Sequence, residues 1–144
     1  MQAQSYSPDL AAALIPAAAR RLGALKETVT KMPGETLTIG DASASMQTAI
    51  DAATIFAAMV SVCWGGEVCF FSSGYIASPH PRPKTVEQVL DITRKIRANN
   101  STAIASGLWN AYEKKMFLQR IVLVTDEEEN TACHGFMFAG LLRR

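Results

Sequence analysis

Thr36-Leu37-Thr38-Ile39-Gly40-Asp41-Ala42-Ser43-Ala44-Ser45-Met46 is the stretch on which the reading of this chain turns. Thr36 to Gly40 is rich in β-branched residues and reads as a short strand. It runs directly into a carboxylate and two hydroxyls, Asp41, Ser43 and Ser45, separated by the small residues Ala42 and Ala44. That spacing lets side-chain oxygens two residues apart converge within one tight loop. A helical pattern follows over Met46 to Trp64, with Ile50, Thr54, Ala57, Ala58 and Val62 at helical spacing. Almost every face of this helix is apolar, so it is expected to be largely buried. Gly65-Gly66 ends it.

Working outward, Glu67 to Ser72 is a second strand and Tyr75 to Ala77 a short third one. A loop with Pro79, Pro81 and Pro83 follows, with His80 expected to be exposed within it. Thr85 starts a helix running to about Ile96, and Gln88 three residues on resembles a capping box. Asn99 to Ser101 is a loop, Ala103 to Met116 a helix, and Arg120 to Thr125 a nearly uniformly apolar strand. Ala132 to Arg144 looks helical. Upstream, Ser7, Pro8 and Asp9 suit a helix start. Pro16 is expected to break or kink that segment. A second helix then runs to about Thr30, with Leu22, Leu25 and Val29 on one face, and Pro33-Gly34 stops it. Alternating strands and helices argue for an α/β architecture with a mostly parallel sheet flanked by helices. We divide the chain into a helical lead-in over 1–35 and an α/β unit over 36–144.

Composition narrows the function. The chain has 144 residues, 49% hydrophobic and 19% charged, which suits one packed domain and excludes full disorder. Fourteen Lys plus Arg against thirteen Asp plus Glu leave a formal charge of +1, unlike a polybasic arm. Three cysteines without CxxC spacing argue against a disulfide framework and a structural zinc site. They favour a reducing, cytoplasmic setting. Cys63, Cys69 and Cys133 lie in apolar segments and read as core thiols. Trp64 and Trp109 also read as core. No signal peptide or membrane span is visible.

Two strand ends carry clustered oxygens: Asp41-Ala42-Ser43-Ala44-Ser45, and Asp126-Glu127-Glu128-Glu129. In open α/β sheets, ligands bind outside the carboxyl ends of strands. An all-oxygen donor set suits a hard cation such as Mg²⁺ or Mn²⁺. Plainer readings stand beside this one. Ser43 or Ser45 would cap the following helix, Asp41 would close an Asx-turn, and the acidic run would suit a helix N-terminus. No glycine-rich phosphate loop is present.

Ile39 to Met46 resembles the DxSxS signature of von Willebrand factor A (vWA) domains. Asn100-Ser101-Thr102-Ala103-Ile104 is similar to the family's threonine loop, and Val122-Leu123-Val124-Thr125-Asp126 to its aspartate after an apolar strand. The three occur in family order. The resemblance implies a Rossmann-like sheet of order 3-2-1-4-5-6 and a metal-ion-dependent adhesion site. At that site Ser43 and Ser45 would coordinate a cation, with Asp41, Thr102 and Asp126 acting directly or through water. A partner protein's carboxylate would take the remaining position, and no catalytic residue is implied. Glu127 and His134 are candidates for a supporting role beside the ion.

Within the superfamily, Lys31 to Leu37, the DxSASM form and Val124 to Glu128 resemble the Ro ribonucleoprotein type, whose vWA domain follows a helical TROVE ring. This raises an RNA-binding alternative, with Arg94, Lys95 and Arg97 as candidate phosphate contacts. A Mg²⁺-dependent hydrolase is the weakest alternative, since no base or phosphate clamp is evident. Two departures stand out. Gly40 precedes the motif aspartate and is expected to loosen the strand end. The last two family strands have no counterpart, so the unit is expected to be incomplete, with Arg120–Thr125 as an apolar edge open to self-association.

Overall fold

Strand β1 (Thr36–Asp41) is buried along its whole length and has a parallel neighbour on each side. The structure is a computed structural model that describes residues 8–29, 33–126 and 128–144. Ser7, Lys31, Met32 and Glu127 lie outside the described residues. Around β1 the chain forms α1 (Pro8–Thr28), α2 (Ile50–Trp64), β2 (Glu67–Phe71), β3 (Tyr75–Ala77), α3 (Val86–Lys95), α4 (Ile104–Glu113), β4 (Arg120–Val124) and α5 (Phe138–Leu141). The sheet order is β3-β2-β1-β4, with only β3 antiparallel. This is the mixed, mostly parallel α/β sheet flanked by helices that the alternating pattern predicts.

Side chains alternate across the sheet, so β2 and β4 each feed two cores, one on either face. Val68 and Phe70 face one core with Ala57, Ala58 and Val62 of α2, Val89 and Ile92 of α3, and Leu22 of α1. Leu37, Ile39, Cys69 and Phe71 face the other, with Ile104, Ala105 and Leu108 of α4 and Leu141 of α5. Phe70 and Phe71 have no solvent exposure, and each contributes about 1.5–3 kcal/mol by burial. The predicted buried row of α2 is buried throughout. The opposite face is not: Asp51, Ala52 and Phe56 are exposed. The helix is largely buried, as its apolar pattern predicts, with exposure confined to this short stripe.

Gly40 does not loosen β1. A Cβ there would lie 2.6 Å from Phe70 ring carbons and 3.3 Å from the Ala57 methyl. The missing side chain is what lets α2 and the Phe70 ring close over the end of the strand. Gly66 has a similar role at the start of β2, with φ +87 and a Cβ position 2.0 Å from the Thr36 carbonyl oxygen.

Several expected boundaries move. Pro16 sits inside an unbroken α1, because the alanines on both sides are strong helix formers and only one backbone bond is lost. Helix α2 begins at Ile50, after a 3₁₀ turn over Ala44–Thr48. Helix α4 stops at Glu113 in a Schellman motif: Lys115 N–H donates to Tyr112 O and Met116 N–H to Ala111 O. Lys115 holds φ at 51 there, in the place where glycine usually signals a helix end.

The segment after β4 is helical only over Phe138–Leu141. His134 and Gly135 have φ of 49 and 81, which closes a tight turn with reciprocal bonds between Cys133 and Phe136. β4 is an edge strand among the described residues, and every residue in it is half-buried. Trp64 and Trp109 are half-buried as well, at the margins of the cores. His80 is half-buried, with its Nε2 2.8 Å from the Asp91 carboxylate. Cys63 and Cys69 are buried free thiols, while Cys133 is half-buried. Among the described residues no helix is long and apolar enough to cross a membrane.

Two opposite backbone substitutions test this packing in urea denaturation. Gly40→Ala is expected to cost about 1–3 kcal/mol through overpacking against Phe70. Lys115→Gly is expected to gain about 1 kcal/mol by relieving the left-handed residue. Both should shift the midpoint without changing the slope.

Candidate functional site

Asp41 is the last residue of the central strand, so the sheet itself delivers its carboxylate to the carboxyl edge. It has no solvent exposure. Burying a carboxylate is costly unless its oxygens are hydrogen-bonded. Here Oδ1 accepts from the Ser43 backbone N–H at 2.8 Å, and Oδ2 accepts from the Thr125 hydroxyl at 2.6 Å. The Asx-turn reading of Asp41 is thus realised with one oxygen. The other oxygen ties the first loop to the end of β4, next to Asp126.

Ser43 is fully buried, and its Oγ lies 3.0 Å from that of Ser45. The plainer reading, a helix cap, is not what the hydroxyl does: Ser43 precedes the 3₁₀ turn without any side-chain cap bond. Ser45 is exposed. Ala42 N–H donates to Phe71 O at 2.7 Å, which continues the strand pairing into the loop.

The threonine loop is stitched to both neighbours. Asn99 N–H donates to Ala42 O and Ala44 N–H to Asn100 O, each at 2.9 Å. Asn100 turns the chain there with φ 58, a conformation that asparagine tolerates. Ala103 N–H donates to Ser72 O at the end of β2. On the other side, Thr102 N–H donates to Asn130 Oδ1 at 3.0 Å, and Thr102 O accepts from the Asn130 and Thr131 N–H groups. Thr102 is buried, at 2% exposure.

The structure therefore draws the three predicted segments together at one end of the sheet. Asp41, Ser43 and Thr102 are buried there, while Ser45 and Asp126 are exposed. Asp126 follows a bend after β4, and its Oδ1 lies 3.4 Å from Glu128 N. Among the described residues of the acidic run, Asp126, Glu128 and Glu129, none starts a helix. Instead Glu129 serves two distant helix starts, accepting from Ala105 N–H of α4 at 3.0 Å and from Phe138 N–H of α5 at 2.8 Å. The predicted role of acids at helix N-termini is real, but it belongs to Glu129 and to other helices.

Some candidates are not drawn in. The exposed His134 ring stacks on Trp109, with centroids 4.1 Å apart. It makes no hydrogen bond to the oxygen set among the described residues. Glu127 is outside them. Arg94, Lys95 and Arg97 are exposed around the C-terminal end of α3. Lys95 pairs with Asp91 at 2.8 Å, and Arg97 donates to the Thr93 and Ile96 carbonyls. Thr125, Glu129 and Asn130 are the participants that the sequence reading missed. Thr125 looked like strand, and Glu129 was one acid in a run of four.

The donor set fits a hard cation. It consists of two carboxylates and three hydroxyls, with no nitrogen or sulfur. Among the described residues no group of three or more His, Cys, Asp or Glu gathers, here or elsewhere, so the set depends on its hydroxyls. Nucleophilic thiol chemistry is disfavoured, since burial pushes Cys69 up to about 12 from 9.0 and also raises Cys63 and Cys133. No protein-family model matches the chain, and no curated protein matches it.

Thr125→Val is expected to cost about 1–3 kcal/mol in chelator-treated protein by leaving a buried Asp41 oxygen without its donor. Chemical denaturation reads this directly. Cys69 yields a pH test with a definite sign. Its folded proton is held to about 12, against 9.0 for the ordinary thiol. This contribution to stability is complete below pH 9 and is lost as pH rises towards 12. The drop over that window should shrink in Cys69→Ala.

Proposed function

We propose that this chain is a vWA-type domain whose metal-ion-dependent adhesion site recruits an acidic group of a protein partner. One observation carries the reading. The buried Asp41 carboxylate fixes the serine loop with one oxygen and the end of β4 with the other. Both bonds hold the carboxylate where the serine loop, the end of β4 and the threonine loop meet, the place the resemblance implies for the cation. The strand order β3-β2-β1-β4, which agrees with the first four strands of the order implied by the resemblance, supports it further.

In this reading Ser43 and Ser45 offer neutral hydroxyl oxygens to a divalent cation, Mg²⁺ or Mn²⁺. Asp41 orients Ser43 through its backbone and balances charge from the buried side. Thr102 and Asp126 complete the set. A bound divalent cation supplies positive charge and an open position for an incoming Glu or Asp carboxylate. With few charged protein oxygens around it, its preference for an external anion is kept. The exposed Ser45 and Asp126 leave the site open to such a partner. The arrangement requires no nucleophile and no acid–base pair, so the function is binding.

The Ro-type, RNA-contacting alternative rests on short sequence stretches and on basic residues that are partly engaged within α3. The cation-dependent reading therefore leads. Isothermal calorimetry with Mg²⁺ and Mn²⁺ decides it. Wild type is expected to bind both ions, and Asp41→Ala to lose at least about tenfold in affinity. Equal binding by the two proteins overturns the assignment.

A further inference from the structure

The Thr102 loop is not held in place by its own segment. Its backbone N–H and carbonyl are both engaged by residues 130 and 131, which lie beyond β4. Asn130 Oδ1 accepts from Thr102 N–H at 3.0 Å and from the Thr131 hydroxyl at 2.9 Å. Thr102 O receives two N–H donors, each at 3.0 Å. Three residues downstream of Thr102, Ala105 N–H donates to Glu129 Oε1, while Glu129 Oε2 accepts from Phe138 N–H. One short segment thus grips the threonine loop, the first turn of α4 and the start of α5. Glu129 and Asn130 are adjacent in sequence; Asn130 holds Thr102 itself and Glu129 holds Ala105, three residues on.

We propose that Asn130 and Glu129 are positioning residues that set the place of Thr102 at the candidate cation site. The inference rests on the cation-binding reading above. Asn130 reaches the site only through the Thr102 backbone, and Glu129 through the start of α4. Neither side chain is needed as a ligand. Mg²⁺ demands near-ideal octahedral geometry, whereas Ca²⁺ accepts looser arrangements. A misplaced Thr102 should therefore penalise Mg²⁺ more than Ca²⁺. General loss of folding would penalise both alike.

The test combines amide exchange with metal titration on the full chain. In metal-free protein, Asn130→Ala should speed hydrogen exchange at Thr102 N–H by about tenfold or more. Asn130→Asp, which keeps the acceptor oxygen, should restore the protection. In calorimetry, Asn130→Ala should weaken Mg²⁺ about tenfold and Ca²⁺ by less than about threefold. Glu129→Gln should shift both measurements in the same direction. In a Thr102→Ala background, Asn130→Ala should cause no further loss of Mg²⁺ affinity, because the two act as a unit.

Unchanged Thr102 exchange, equal losses for both ions, or additive losses in the double variant overturn the positioning role. Wild-type protein that binds no Mg²⁺ overturns the cation reading together with this one. Binding that is lost in Asp41→Ala but intact in Asn130→Ala overturns the positioning role alone.

Discussion

A carboxylate buried at the end of the central strand is the constraint around which this protein is arranged. Asp41 has no access to solvent, so both of its oxygens need donors from the protein. Those donors come from opposite sides in sequence: the backbone of Ser43 just ahead, and the hydroxyl of Thr125 at the end of β4. Meeting that need brings the loop after β1 and the loop after β4 into register. Gly40 makes the position reachable by letting Phe70 and Ala57 pack over the preceding residue.

The same end of the sheet shows how loops are ordered without secondary structure of their own. The segment from Asn99 to Ala103 is tied on one side to Ala42 and Ala44, and on the other to Asn130 and Thr131. Most of these bonds join backbone groups, so they specify position with little demand on residue type. The loops gathered there carry the hydroxyls of Ser43, Ser45 and Thr102 and the carboxylates of Asp41 and Asp126. All-oxygen sets of this kind are the donor type that hard cations accept.

Much of the fold was legible in the chain. The β-branched run before Asp41, the helical spacing from Ile50 to Val62 and the apolar run at Arg120 each name their element through local periodicity. The misread places share a cause. Pro16 lies within a helix that its alanine neighbours sustain. Lys115 ends α4 in a conformation usually marked by glycine. His134-Gly135 turns a segment whose composition suggests a helix. In each case a non-local or backbone-level preference outweighed the side-chain pattern. The site was legible in Asp41, Ser43, Ser45, Thr102 and Asp126 as separate motifs. Thr125, Glu129 and Asn130 were not, because their roles depend on partners between 9 and 84 residues away.

The sequence by itself determined the order of strands and helices along the chain, the nearly uniform apolarity of Arg120–Thr125 and the oxygen-rich ends of β1 and β4. These follow from spacing and side-chain chemistry along a single segment. Only the tertiary structure decided that Asp41 is buried with both oxygens engaged, and that Ser43 is released from capping. It also decided that Glu129 and Asn130 reach across to the threonine loop. The physical reason is that a polar group's partner is chosen by what folding leaves within about 3 Å of it, and spacing along the chain does not encode that distance.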